Sequence, residues 1–293
     1  MFIATLIAKD SLNERDITAA LAGLDASGAL ISRQSDVIDG RALDIFFAGD
    51  AVAARQHLEA MAGEVDVAVQ PENSRQKKLL ISDMDSTMIT VECIDELADY
   101  AGIKPQIAAI TERAMQGELD FEEALRGRVA LLRGLETAAI QKCLDERVKI
   151  MPGAETLVRT MARDAATTIL VSGGFTRFAK PVAQAIGFES FHANVLGEDS
   201  GLLTGDLDGA IVDSTRKDEL LQSAARAANL SLDQCIAVGD GANDIPMLQR
   251  AGLGVAYHAK PKAAQAADVA IRYNDLTALL YIQGIAADRW ITA

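Results

Sequence analysis

Ile81-Ser82-Asp83-Met84-Asp85-Ser86-Thr87 decides how the chain is read. The basic, polar run Ser74–Lys78 stops, Leu79-Leu80 opens a short apolar strand, and two carboxylates follow one residue apart. Unpaired buried carboxylates cost several kcal/mol or neutralise themselves. Two readings follow: a surface turn, which Asp and Ser favour, or a site where something cationic compensates them. In an open α/β sheet, ligands bind in the crevice beyond the carboxyl ends of the strands. On the second reading, a chain turning into a loop at this point could aim both carboxyl groups at one hard cation.

Working outward, the 293 residues suffice for one large or two ordinary domains with buried cores. With 49% hydrophobic and 24% charged residues the composition is that of a globular protein. The formal net charge of -14 argues against tracking nucleic acid or an anionic membrane surface, both of which need clustered Lys and Arg. It suits a cation-requiring site. Cys93, Cys143 and Cys235 are odd in number and far apart, and read as reduced core residues of a cytoplasmic protein. The N-terminal stretch lacks the features of a signal peptide, and no apolar run is long enough to span a bilayer. His57, His192 and His258 form no local ligand motif, so a metal here is expected to be hard and held by oxygens.

Before the decisive stretch, Phe2–Ala8 is apolar, Glu14–Leu24 has helical spacing, and Ala29–Val37 and Ala42–Phe47 flank the turn signal Asp39-Gly40. Ala51–Met61 is helical again and Val65–Val69 is a last strand. This βαββαβ order is a complete ferredoxin-like unit, expected over residues 1–70. It resembles the ACT-type regulatory domains that bind small amino acids, although Asp10-Ser11-Leu12-Asn13 replaces the glycine such domains carry after the first strand. Residues 71–78 are polar and read as a linker, with the second domain over 79–293.

Four helical stripes fill Val91–Val148, too long for a crossover and too regular for a loop, which predicts an inserted helical cap at about 90–150. Strands and helices then alternate, with Thr167–Val171 and Cys235–Val238 as strands and Phe191–Val195 with Leu202–Leu207 as an antiparallel hairpin. The fold class is α/β, a doubly wound parallel sheet with an inserted four-helix cap behind a small α+β domain.

Three further places carry polar groups at element ends. Val171 runs into Ser172-Gly173-Gly174, which is either a plain strand-to-helix turn or a hydroxyl with open backbone N–H groups for an anion. Lys217 stands at a helix start, where the dipole prefers anions, a conflict that a bound phosphate would resolve. Val238 runs into Gly239-Asp240-Gly241-Ala242-Asn243-Asp244, whose third glycine position is Asp244 and which therefore fails as a dinucleotide fingerprint.

Asp83-Met-Asp-Ser-Thr87, Ser172-Gly-Gly, Lys217 and Gly239-Asp-Gly-Ala-Asn-Asp244, in that order, resemble the four motifs of the haloacid-dehalogenase-type phosphatases. The likeness spans about Leu79 to Ile282. Val91-Glu92 and the cap segment Asp120–Leu132 are similar to the phosphoserine phosphatase branch of that superfamily. The resemblance implies hydrolysis of O-phospho-L-serine, the last step of serine biosynthesis, through an aspartyl-phosphate on Asp83, with Asp85 as acid and then base. It implies Mg2+ held by Asp83, the Asp85 backbone carbonyl and Asp240, and phosphate oxygens held by Ser172, Gly173, Lys217 and Asn243, with Asp244 orienting the groups around them. Glu92 and Arg128 would read the amino-acid head, and Met115 and Phe121 would wall the pocket. Arg128 lies seven residues after Phe121 and three after Leu125, on or beside an apolar helical stripe. The partner is then a small molecule, with a homodimer as a further expectation. Two other readings stand beside it: a different small phosphomonoester as substrate, and an amino-acid sensor with an inactive core.

Overall fold

The computed structural model describes residues 1–61, 63–115 and 118–292, without the side chain of Met115. A four-stranded antiparallel sheet and a seven-stranded, mostly parallel sheet organise the chain. The first contains β1 (Phe2–Ala8), α1 (Glu14–Ala26), β2 (Leu30–Gln34), β3 (Ala42–Ala48), α2 (Ala51–Glu59) and β4 (Val65–Pro71), with strand order β2-β3-β1-β4. Asn13 and Asp50 start its helices by accepting backbone N–H groups of the first turns. The β2–β3 hairpin turns at Asp39-Gly40, both left-handed, as that dipeptide predicts.

β1 and β3 are buried almost end to end because both faces of this sheet are covered. Ala4, Leu6, Leu43, Ile45 and Phe47 pack with Ala20, Leu24, Ala54 and Leu58 of α1 and α2. Ile7, Ala42 and Ala68 on the opposite face join the core of the second unit. That face also carries polar groups. The buried Asp66 carboxylate accepts the backbone N–H groups of Arg272 (2.8 Å), Tyr273 (3.2 Å) and Asn274 (3.0 Å), and the Asn274 side-chain amide at 2.8 Å. Arg75 donates to Asp44 and to the carbonyls of Tyr281 and Ile282. Gln70 reaches the Ile282 carbonyl as well.

Residues 71–78, expected as a polar linker, are docked rather than loose. β4 runs through Pro71 and a 3-10 turn follows at Glu72–Ser74. Lys77 is 5% exposed, with Nζ donating to the carbonyls of Ser74 and Asp233. Polar composition marked a segment in which Arg75 and Lys77 find protein partners while Pro71, Asn73, Gln76 and Lys78 stay exposed.

The second sheet contains β5 (Leu79–Ser82), β6 (Thr167–Phe175), β7 (Ser190–Asp199), β8 (Leu202–Asp208), β9 (Cys235–Gly239), β10 (Leu253–Tyr257) and β11 (Val269–Ile271). Their order is β11-β10-β9-β5-β6-β7-β8, parallel except for β8. The four residues of β5 are fully buried between helical layers, which is why they read as one apolar run. From β5 the chain builds one way to β6, β7 and β8, then returns to add β9 on the other flank. The reversal puts a crevice at the carboxyl ends of β5 and β9.

Between β5 and β6 lie α3 (Cys93–Tyr100), α4 (Lys104–Met115), α5 (Phe121–Ala130) and α6 (Ala138–Arg147), the expected cap, and then α7 (Ala154–Arg163). The cap's entry and exit run side by side: Thr90 N–H donates to the Lys149 carbonyl and Met151 N–H to the Met88 carbonyl. The remaining helices are α8 (Thr176–Ile186), α9 (Ser214–Ala227), α10 (Ile245–Arg250), α11 (Pro261–Ala266) and α12 (Ala278–Ile282). Cys93, Cys143 and Cys235 are free and buried. No helix among the described residues is long and apolar enough to cross a membrane.

Candidate active site

The crevice gathers residues from four chain segments. Asp83 follows β5 directly, and its N–H donates to the Val238 carbonyl at 2.9 Å, which fixes it beside the end of β9 and hence beside Asp240. Lys217, in the first turns of α9, is fully buried; its Nζ donates to Asp83 Oδ1 and Asp244 Oδ1, each at 2.7 Å. The conflict between a lysine and a helix start is thus met by two carboxylates of the chain itself, where the sequence alone suggested a bound phosphate. Asp244 accepts with its other oxygen from the backbone N–H groups of Asp240 (3.1 Å) and Gly241 (2.9 Å). A Cβ on Gly239 would overlap the Asp244 side chain, so the glycine is what lets that carboxylate lie against the strand end.

The electrostatics follow from burial. Asp83, Asp240 and Asp244 offer carboxylate oxygens within 4.8 Å of one another, around a single buried ammonium. Asp83 is held well above the usual carboxylate range, by burial first and then by the Asp244 charge, against the pull of Lys217. Burial alone would lower Lys217, but Asp244 and Asp83 overcome it and raise it. Asp240 is raised to about 6, again by burial first, with the exposed Lys260 at 3.6 Å acting the other way. Three carboxylates thus face one buried ammonium, a negative excess that a divalent ion would offset.

Asp85 is different. Among the described residues its Oδ1 is buried without a hydrogen-bond partner, and burial, with the nearby Glu92 charge, pushes its carboxyl up to about 7 against the hydrogen bonding of Cys93. A group that exchanges its proton near neutrality suits acid and base work in turn. Ser86, next in the chain, is left-handed at φ 57° and donates its hydroxyl to Glu92 Oε1 at 2.8 Å. For a serine that conformation costs about 1–2 kcal/mol, and here it accompanies the turn between the two cap-side carboxylates.

Ser172, expected at a turn, lies within β6, which continues through a bulge to Phe175 before α8 begins at Thr176. Ser172 is buried, and its hydroxyl accepts the Gly174 N–H at 2.8 Å. Phe121, at the start of α5, sits directly over Gly173, its Cζ about one methyl width from where a Cβ would stand. Glu92 is half-buried at the N-terminal cap of α3 and makes no cap hydrogen bond, so it is not spent on its own helix. Arg128 is half-buried on α5; burial lowers its pKa, while Asp95 and Glu92 act to raise it. Among the described residues no carboxylate lies within ion-pair distance of Arg128; its Nε contacts the Ala124 carbonyl at 3.3 Å. Asn243 is half-buried in the 3-10 turn after β9. The expected wall residue Met115 falls, in its side chain, outside the described residues.

Sequence reasoning missed several supports. Buried Asn194 on β7 donates to the Gly173 carbonyl and accepts the Val212 N–H, both at 2.8 Å. It ties the Ser172 segment to the one leading into α9. Thr87 contacts Asp240 Oδ1 at 3.4 Å. An amide among the apolar residues of a strand was the only available signal for Asn194.

A family model described as "Hydrolase: haloacid dehalogenase-like hydrolase" matches residues 77–252. The chain belongs to the haloacid dehalogenase-like hydrolases. Among curated relatives, a phosphoserine phosphatase of Streptomyces coelicolor is 40% identical over 281 residues, 93% of this chain and 68% of that one. Another from a Polaromonas species is 44% identical over 221 residues, 74% of this chain and 94% of the relative. Of solved structures, a probable phosphoserine phosphatase from Vibrio cholerae superposes with a TM-score of 0.77 at 31% identity, covering 98% of this chain and 88% of that one. The likeness to that structure spans both sheets.

Proposed function

We propose that this hydrolase cleaves O-phospho-L-serine to L-serine and phosphate by way of an aspartyl-phosphate. Asp83 attacks phosphorus in line and the P–O bond to the serine oxygen breaks. Asp85, protonated at the start, gives its proton to the departing serine oxygen, and then takes one from the water that attacks the aspartyl-phosphate. Phosphate leaves and Asp83 is regenerated. Lys217, Ser172, the Gly173 N–H and Asn243 hold the phosphate oxygens, and Asp244 keeps Lys217 aimed at Asp83.

The residues fit a hard divalent ion. The donors are oxygens, the buried negative charge is in excess, and both Asp244 oxygens are already engaged by Lys217 and two N–H groups. Asp83 and Asp240 would therefore hold Mg2+, with the Asp85 carbonyl as the further ligand that the family resemblance implies. When bound, the ion supplies positive charge against the phosphate and lowers the repulsion met by an anionic nucleophile.

What carries the choice of phosphoserine is Arg128: a half-buried guanidinium with no ion-pair partner among the described residues, on the helix whose first residue covers Gly173. Its planar fork suits a carboxylate, and Glu92, which precedes α3 near enough for its charge to act on Arg128, suits an α-ammonium. The test is Mg-dependent phosphate release from a panel of phosphomonoesters by the native enzyme, Glu92→Gln and Arg128→Ala. Losing either contact is expected to cost about 2–5 kcal/mol on phosphoserine and far less on p-nitrophenyl phosphate. Equal losses on both would refute the assignment, and a preference for another ester would replace phosphoserine with it.

A further inference from the structure

The cap is joined to the core at a second place besides its own entry and exit strands. β7 and β8 project as a hairpin, and its far end pairs with the stretch between α5 and α6. Gly134 N–H donates to the Leu203 carbonyl (2.8 Å), Leu203 N–H to the Leu135 carbonyl (2.9 Å), and Thr137 N–H to the Gly201 carbonyl (2.9 Å). Leu203 is 2% exposed and shares one core with Leu125, Val129 and Leu132 of the cap and Leu196 of β7. Gly205 lies against the end of α5 at φ 79°; a Cβ there would stand 2.8 Å from Arg133 Cβ and 3.2 Å from the Ala130 carbonyl oxygen. The helix seated this closely carries Phe121 at its start and Arg128 two residues before its end.

We infer that the β7–β8 hairpin is a strap that fixes α5 over the phosphate-holding end of β6, and so sets where Arg128 meets the substrate. Gly205 and Leu203 are then positioning residues for substrate choice, although neither belongs to the reacting centre. The physical basis is contact without slack: backbone hydrogen bonds fix the hairpin's height, and the missing side chain at Gly205 sets its distance from the helix. The inference rests on the reading that Arg128 meets the phosphoserine carboxylate.

The experiment compares Gly205→Ala with Gly209→Ala. Gly209 has φ 77°, nearly the same backbone strain, but nothing within 4 Å of its would-be Cβ, so it controls for left-handed strain without the collision. Two readouts are taken: amide hydrogen exchange at Gly134, Leu135 and Thr137, and kcat and KM on phosphoserine and p-nitrophenyl phosphate. Gly205→Ala is expected to speed exchange at those amides and to raise KM for phosphoserine about tenfold or more, with kcat on p-nitrophenyl phosphate within about twofold of native. Gly209→Ala is expected to do neither. Should Gly205→Ala fail to fold, Leu203→Val, which loosens the hairpin's apolar contact with the cap, is held to the same expectations. The inference is overturned if the variant discriminates as the native enzyme does, if Gly209→Ala behaves like Gly205→Ala, or if both substrates lose equally. A native enzyme with no preference for phosphoserine refutes the reading of Arg128 and this inference together. A native enzyme that prefers phosphoserine, with a variant that prefers it just as strongly, refutes the strap alone.

Discussion

Replacing Asp244 by Asn isolates what the buried carboxylate does, because shape is kept while charge is lost. One carboxylate oxygen meets the Lys217 ammonium and the other meets two backbone N–H groups. An amide has one acceptor and one donor end. If its oxygen takes the two N–H groups, its NH2 faces the ammonium; if it flips, its NH2 faces the N–H groups. Either way donors are set against donors in a fully buried place. Removing one partner of a buried pair costs about 3–5 kcal/mol, and Lys217 keeps Asp83, so the low end, about 3 kcal/mol, is expected. With about 2.1 cal/mol/K of unfolding entropy per residue, a chain of this length loses roughly 1.6 °C per kcal/mol, so Tm should fall by about 5 °C. Turnover should fall at least tenfold, since about 1.4 kcal/mol of misplaced Lys217 contact suffices for that. Differential scanning calorimetry and steady-state kinetics on the same preparation give both numbers. A variant within about 1 °C of native Tm and with native kinetics would refute the view that Asp244 supports Lys217 and the β9 turn.

Asp83→Asn should fold normally and lose steady-state turnover, because an amide fills the space but cannot form the acyl-phosphate; hydrolysis persisting with deamidation excluded by mass spectrometry would count against the nucleophile. Chelation should stop the native enzyme and added Mg2+ should restore it, so full activity after exhaustive chelation would remove the metal from the scheme. Asp66→Ala leaves four N–H donors without their acceptor and should lower stability by about 2–4 kcal/mol, with KM and kcat at 25 °C unchanged. Denaturant unfolding that shows no loss would mean water replaces the carboxylate there.

The architecture was legible where physics is local. β5 and β9 were apolar runs ended by polar residues, the cap stripes had helical spacing, and Asp39-Gly40 forced its turn. Asp83, Lys217 and Asp240 announced themselves because charge at the end of a buried strand, or at a helix start, is locally unfavourable and demands a partner, whereas the role of Asp244 came only with the family resemblance. What stayed hidden depends on pairings between distant positions. Asp44, Asp66 and Gln70 looked like the polar residues of ordinary alternating strands, since nothing nearby tells a face toward water from one toward Arg75 or toward backbone N–H and carbonyl groups some two hundred residues away. Lys77 was read as linker for the same reason. Asn194 was invisible because its two partners, Gly173 on β6 and Val212 ahead of α9, belong to other segments, and Ser172 continued its strand because the bulge that admits it depends on β7.

The polar seam between the two sheets bears on how the chain is made. Asp66 waits for partners 206 to 208 residues further along, which at roughly 5–20 residues per second is about 10–40 s of translation. During that interval one face of the four-stranded sheet has nothing to cover it. An apolar face left open so long would stick to other nascent chains, whereas Thr5, Asp44, Asp66 and Gln70 keep this one wettable until Arg272–Ile282 emerge from the ribosome to replace the water.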